Sequence, residues 1–378
     1  MKKSYEVAVI GGGIIGCSIA YYLAKENVDV AVFENDQIGG KTTSAAAGML
    51  GAHSECEDLD VFYPFARDSQ LAYFTLREEL KEYSGIDLQW KTGGIYKLAF
   101  SENEKLQLNS MLALPTIEWH EPEEVRTNVE DVSEKIIGAA YIKDDVHVLP
   151  KATCQAFGKS AQQLGASIHE STPVHTIEKI DGVFSLKTAA GSVEAKYVVV
   201  ASGVWSTRYF ESFGLGEKVL PVKGECLAVQ SGNVSLKRTL FHDSSYILPR
   251  NNNTLVIGAT MVENDWNEKA TLGGIEALIK KAKEMLPSIG ELQIESFWAG
   301  LRPKTFDHKP FIGVHPGDDN ILFATGHFRN GILLAPATGQ MIRDLILGRK
   351  VREDWLEAFK IDRHKAWIQK QAGILEVH

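Results

Sequence analysis

The first 34 residues constrain this chain more than any other part of it. Val7, Ala8, Val9 and Ile10 are a short apolar run rich in β-branched residues, which predicts a buried strand. Gly11, Gly13 and Gly16 come next with the spacing G-x-G-x-x-G. Ile15, Ile19, Tyr22 and Leu23 then recur at helical spacing. A second apolar strand, Val30–Phe33, ends in Glu34, 18 residues after Gly16. Strand, glycine loop, helix, strand and terminal acid in this order form a dinucleotide-binding fingerprint. Gly11 makes the tight turn, Gly13 lets the backbone approach a pyrophosphate, and Gly16 lets helix and strand pack closely. The helix N-terminus offers N–H groups and a positive dipole end to phosphates. Glu34 accepts ribose hydroxyls and disfavours a 2′-phosphate.

The segment after Glu34 separates FAD from NAD. Residues 39–49 read G-G-K-T-T-S-A-A-A-G-M, where a nicotinamide enzyme continues with alternating strands and helices. Small residues let a flat ring system or a pyrophosphate lie on the backbone, and Thr42, Thr43 and Ser44 carry hydroxyls suited to phosphate. The same run is also consistent with a helix start capped by Thr43 or Ser44. The C-terminal third favours the flavin. Residues 320–324 predict a strand, then a glycine-containing loop and a helix with Gly339 inside it. The N-terminus of that helix suits the flavin edge on which negative charge develops upon reduction.

These blocks resemble the D-amino-acid-oxidase-like flavoproteins. The resemblance is carried by the glycine motif, T-T-S-A-A-A-G-M at 42–49, V-V-V-A-S-G-V-W-S at 198–206 and G-H-F-R-N-G-I-L-L-A-P at 326–336, and it reaches Arg363. Longer blocks at 42–52, 144–148, 220–226, 298–303 and 326–338 are most similar to the bacterial glycine oxidase group of thiamine biosynthesis. The resemblance extends the cofactor contacts to Ile14, Ile15 and Asn35, then to Ala47, Gly48 and Met49. It adds Val174, whose backbone meets the adenine, and Trp205. In the flavin loop it adds His327, Phe328, Arg329, Asn330, Gly331, Ile332 and Leu333. Monomeric sarcosine oxidases attach their flavin to a Cys just after their counterpart of the L-R-P block. Here 304–308 reads K-T-F-D-H, so the FAD is expected to be non-covalent.

A flavin amine oxidase must aim a substrate C–H bond at flavin N5, and a carboxylate is the natural handle. A bidentate Arg suits it best. Arg302, before Pro303, lies in the block that carries the family's carboxylate-binding Arg; the plainer alternative is a surface salt bridge. Arg329 either contacts substrate or holds the flavin loop. Tyr246 is expected to donate its hydroxyl to the same carboxylate, with packing under the sheet as its alternative. Ser244 shares that face if the segment is a strand, and Met261 either walls the pocket or is core. His53, His147 and His327 form no His-Asp-Ser or metal pattern, so no side chain is assigned as catalytic acid or base.

The expected fold is α/β, in an α+β two-domain arrangement. A Rossmann-type FAD-binding domain (1–85, 145–219 and 300–364) is interrupted by an antiparallel-sheet substrate domain (86–144 and 220–299), with a tail at 365–378. A length of 378 residues suits two domains. Helix is expected over 151–164, and strands over 167–170, 178–187 and 198–201. The net charge of -9 without a basic run gives no footprint for nucleic acid or a polybasic membrane anchor. Residues 5–24 are mostly apolar, yet Gly11, Gly12, Gly13 and Gly16 interrupt any signal or membrane helix. Cys17, Cys56, Cys154 and Cys226 form no CxxC pair and suit a reducing cytoplasm. The last four residues have the character of a vector remnant and are set aside.

The resemblance implies an FAD oxidase acting on glycine and small primary or secondary amines such as sarcosine and D-alanine. The imine is hydrolysed to glyoxylate and ammonia, O2 is reduced to H2O2, and iminoglycine becomes available for thiazole synthesis. A homotetramer is also implied. A sarcosine or D-amino-acid oxidase or dehydrogenase remains the alternative enzyme, and a flavin-binding subunit the non-catalytic one.

Overall fold

The computed structural model describes residues 2–54 and 60–364. Cys56 and the 365–378 tail lie outside these residues. Two sheets organise the chain. The first has strand order Phe311–His315, Asp318–Thr325, Gly191–Val200, Ser4–Ile10, Val30–Phe33, Ser167–His169. All of these run parallel except Phe311–His315, which turns back. The register places Ile10 beside Phe33 and Val200, and Val200 beside Phe323. The carboxyl ends of these strands therefore share one edge, where ligands of open parallel sheets bind.

The residue types explain the burial. Val30–Phe33 is buried throughout, as expected for a strand covered on both faces. The helix Ile14–Ala24 is buried at every position. It packs between Pro150–Gln163 and Gly331–Ile346. Gly339 makes the second contact possible, because a Cβ there would lie 2.6 Å from Ser18 Oγ and from Tyr22 Cδ2. Ser18 Oγ donates to the Ala335 carbonyl at 2.7 Å across the same contact. The glycine-interrupted segment 5–24 is thus a strand and a buried helix. Among the described residues no helix is long and apolar enough to cross a membrane.

The second sheet has nine strands and is built from 95–142 and 220–304. Leu220–Gln230 lies between Ile294–Lys304 and Thr254–Gly258, antiparallel to both. One pairing departs from the antiparallel expectation: Thr239–His242 runs parallel to Ile95–Ala99, which joins the two sequence insertions into one sheet. A second correction concerns 178–187. It is not one strand but a hairpin of Val174–Ile180 and Val183–Thr188, turning at Asp181 and Gly182, both with positive φ. An Asp-Gly pair favours that turn. Val174 opens the first strand of that hairpin.

The described cysteines Cys17, Cys154 and Cys226 are free and buried. Cys17 and Cys154 are remote in sequence, yet both thiols reach the Gly12 carbonyl, at 3.5 and 3.7 Å.

Candidate active site

A cavity of about 410 Å³ runs from the carboxyl edge of the parallel sheet to the inner face of the second sheet. At one end lie Pro173, Val174, Arg208 and Tyr209; at the other lie Tyr246, Met261 and Arg302. The loops after Ile10, Phe33, Val200 and Ala324 form the wall between them, as the register of the four strands requires.

The glycine loop behaves as its spacing predicts. Gly11 has φ +108, and a Cβ there would meet the Ala201 carbonyl oxygen at 2.6 Å. At Gly16 a Cβ would overlap the Gly11 carbonyl oxygen, so this glycine serves close packing and does not line the cavity. Gly13 is different. It is the N-cap of Ile14–Ala24 without a side-chain cap, and the nearest atom to a Cβ there is Thr43 Oγ1 at 3.5 Å. It faces the cavity. Glu34 Oε2 accepts from Gly12 N at 2.6 Å, and Oε1 from Asp36 N at 2.9 Å. Each oxygen retains a lone pair for a ribose hydroxyl.

The hydroxyl run is partly a correction. Thr42 and Thr43 line the cavity, but Thr42 donates to the Leu301 carbonyl at 2.7 Å and Thr43 Oγ1 accepts from Ile14 N at 3.1 Å. Ser44 is exposed, lies outside the cavity and donates to the Lys41 carbonyl at 3.0 Å. The short helix Thr42–Ala45 begins at Lys41 without a side-chain cap, so neither Thr43 nor Ser44 caps it. Ile14, Ile15, Asn35, Ala47, Met49, Val174 and Trp205 line the cavity. Gly48 does not: it has φ +83, and a Cβ there would overlap the Val148 carbonyl oxygen.

The second helix N-terminus, Gly331–Ile346, also lacks a side-chain cap and has no acidic residue in its first turn. His327, Phe328, Arg329, Gly331 and Ile332 line the cavity. Asn330 and Leu333 do not; both are buried, Leu333 in the core. His327 Nε2 is 3.0 Å from Thr338 Oγ1, and complete burial lowers its pKa to about 3. It is a neutral imidazole and a weak base. Two helix N-termini whose own N-cap residues supply no side-chain cap, an open glycine at one of them and a carboxylate at a strand end suit a dinucleotide with an electron-rich ring.

The opposite end is built on the second sheet. Arg302 pairs in register with Val222, and its guanidinium lies over Gly224 so closely that a Cβ there would overlap it. Arg302 Nη1 donates to the Thr260 carbonyl at 3.1 Å. Tyr246 is 6% exposed, with its hydroxyl 3.5 Å from Cys226 Sγ; burial, then the neighbouring Cys226, pushes the phenol pKa well up. Tyr246 is therefore a neutral donor. Ser244 lines the cavity, but from the turn before the strand Ser245–Pro249, which corrects its expected place within the strand. Met261 is 45% exposed and lies on the rim, not in the core. Arg329 is exposed at the mouth. Among the described lining residues Glu34 is the only carboxylate, and it lies at the far end.

Several neighbours of this site are not singled out by residue type, although Gly224, Cys226, Asp145 and His147 fall within the blocks 220–226 and 144–148 that carry the resemblance. Cys226 and Gly224 line it. Arg250, behind the wall, donates to the Ala47 and Val148 carbonyls at 2.6 and 2.9 Å, and burial lowers its pKa to about 10. Burial, then Arg250 and Lys91, lowers the His147 pKa to about 3. A buried His–Asp pair exists after all: His53 Nδ1 is 2.9 Å from Asp145 Oδ1, and Ser54 N donates to Oδ2 at 2.8 Å. It lies outside the cavity and engages Ser54 through its backbone. No residue spacing marks these contacts.

Comparison with known proteins is consistent throughout. The family profile described as "FAD dependent oxidoreductase" (DAO) matches residues 6–345. Glycine oxidase of Bacillus subtilis (strain 168) is 55% identical over 366 residues, 97% of this chain and 99% of that protein. The crystal structure of glycine oxidase from Geobacillus kaustophilus superposes with a TM-score of 0.93 at 36% identity, covering 96% of this chain and all of that one. The bifunctional protein ThiO/ThiG of Synechocystis is 34% identical over 93% of this chain and 53% of its own length.

Proposed function

The chain belongs to the DAO family of FAD-dependent oxidoreductases, and from that premise we propose that it is a glycine oxidase. Its substrates are glycine and small primary or secondary amines, and its products are the imine, hydrolysed to glyoxylate and ammonia, and H2O2. FAD bound in this cavity would supply the two-electron redox chemistry, taking up the hydride that leaves the substrate Cα, with O2 as the final oxidant. Gly13, the N-terminus of Ile14–Ala24 and Glu34 would hold its pyrophosphate and ribose, Val174 its adenine, and the N-terminus of Gly331–Ile346 its ring. FAD is held without a covalent bond.

The observation that carries the reading is Arg302 fixed on Gly224 beside the buried Tyr246 hydroxyl, at the end of the cavity away from Glu34. The guanidinium fork binds the substrate carboxylate and the tyrosine donates to it. Arg329 adds a second cation at the mouth. No side chain serves as an obligatory base: Glu34 is remote and His327 is too weak. The substrate reacts as the neutral amine, whose lone pair assists hydride departure. The exposed rim at Met261 and Ser244 leaves room for the small substituents of sarcosine and D-alanine, and a panel of these amines ranks them.

Arg302→Ala tests the reading. Losing one partner of a desolvated, charge-assisted pair costs about 2–5 kcal/mol, so kcat/KM for glycine falls roughly 30-fold to several thousand-fold. Arg302→Lys recovers part of this, since it keeps the charge and loses the fork. Equal losses for carboxylate-free amines, or loss of FAD, would remove Arg302 from substrate binding.

The same reading assigns 86–144 and 220–304 to a substrate domain, the strand Ile294–Lys304 carrying its edge past the expected 299, and the remainder, to 364, to the FAD domain. It also includes a cytoplasmic homotetramer whose iminoglycine feeds thiazole synthesis in thiamine formation. The ThiO/ThiG relatives support that last role.

A further inference from the structure

Arg302 is anchored on a residue that the sheet does not hold. Thr260 comes after the strand Thr254–Gly258 and lies in no regular element, yet its carbonyl accepts from Arg302 Nη1 at 3.1 Å. Glu225 holds Thr260 in place. Thr260 N donates to the Glu225 carbonyl at 3.2 Å, and Glu225 N donates to Thr260 Oγ1 at 2.9 Å. Thr260 Oγ1 in turn donates to Glu225 Oε2 at 3.1 Å. Both ends of one residue are thus tied to both ends of another.

Glu225 itself is 2% exposed in the middle of Leu220–Gln230. Its Oε1 accepts from Thr271 N and Thr271 Oγ1 at 2.7 and 2.9 Å. Lys223, equally buried, stands 3.2 Å away and bridges to Asp265 at 3.3 Å. Burial pulls the Glu225 carboxyl up, but the bonds from Thr271, Lys223 and Thr260 outweigh it and hold it below the usual range. A buried ion pair of this kind contributes little net stability over an apolar pair of the same volume.

We propose that Glu225, acting through Thr260, is a positioning residue for the substrate carboxylate: it sets the plane of the Arg302 guanidinium. The inference rests on the assignment of Arg302 to the substrate carboxylate. A two-point contact with a carboxylate depends on the roll of the planar fork about its long axis, and that roll is set by the Thr260 carbonyl on one side and the Gly224 backbone beneath. A fork held to within a fraction of an ångström binds; one free to rock does not.

The test compares FAD-loaded Thr260→Val, Thr260→Ser, Glu225→Gln and Arg302→Ala. Acetate binding is read from the flavin absorbance, and KM and kcat are measured with glycine. Thr260→Val removes the shared hydroxyl and keeps the shape. It should raise the acetate dissociation constant and the glycine KM about 5- to 50-fold, with kcat changed less. Glu225→Gln should act in the same direction. Thr260→Ser keeps the hydroxyl and should stay within about twofold of the parent. FAD content should match the parent in all four. Wild-type acetate binding in Thr260→Val overturns the proposal. So does a loss in Thr260→Val that Thr260→Ser shares, because the hydroxyl is then not the link. Glu225→Gln also bears on folding at Thr271, so the Thr260 pair decides if that variant is unstable. If Arg302→Ala binds acetate as the parent does, the assignment of Arg302 is what fails, and this inference falls with it.

Discussion

The guanidinium of Arg302 lies directly over Gly224, in the space a side chain on that residue would occupy. Gly224 pairs with Gly300 across the two strands, and Val222 with Arg302. The cation reaches across from one strand to rest on the bare backbone of the other. Gly224 needs no left-handed backbone; the missing side chain is the point.

Gly224→Ala should therefore move the guanidinium without unfolding the sheet, because the displaced group is the end of a flexible side chain. The expected result is a glycine KM raised roughly 10-fold or more, with FAD content retained. Steady-state kinetics with the flavin absorbance ratio check it. An unchanged KM would mean that the fork has room to re-form the same contact.

Gly13 and Gly16 should fail differently. Gly13→Val has space in the protein, so the apo-protein should fold with a near-normal melting temperature and lose FAD affinity. Gly16→Ala drives a methyl into the Gly11 carbonyl, an overpacking that typically costs about 1–3 kcal/mol, so its apo-protein should melt about 2–8 °C lower. Calorimetry of the two FAD-free variants separates ligand loss from fold damage.

His327 should make the protein acid-sensitive. Its pKa is lowered by burial from 6.5 to about 3. Between these values the unfolded chain binds a proton that the folded chain does not. The stabilisation is present above 6.5 and is lost as pH falls through that window, at up to about 1.4 kcal/mol per pH unit for one group. His327→Gln has no such proton. Its melting temperature should fall less steeply between those pH values than the parent's, and parallel curves would contradict the burial argument.

Acid precipitation should release FAD into the supernatant. Lys304, Thr305, Phe306, Asp307 and His308 supply no thiol. Cys226 lines the cavity, but burial raises its pKa and leaves it a poor nucleophile. Flavin remaining in the pellet would show a covalent link.

The dinucleotide half of the protein is legible from its residues because its code is local. Val7 to Glu34 form strand, turn, helix, strand and acid within one short stretch; Gly16 answers to Gly11 five residues away and Gly13 opens onto the cavity, while Gly11 also makes room for the remote Ala201 carbonyl. The strand before the flavin loop and the helix carrying Gly339 are legible for the same reason. The hairpin at Asp181 and Gly182 also has a local signal, in the Asp-Gly pair itself. The floor beneath Arg302, the Glu225–Thr260 tie, the parallel pairing of Thr239–His242 with Ile95–Ala99 and the meeting of Cys17 with Cys154 at Gly12 are of another kind. Each joins side chains or backbones from separate segments, and neither partner's surroundings in the chain mark it for the other. Residue pattern sets what each segment is able to form. Which buried charge faces which carbonyl is decided only when the sheets close on one another, because only then is water excluded and every polar group obliged to find its partner.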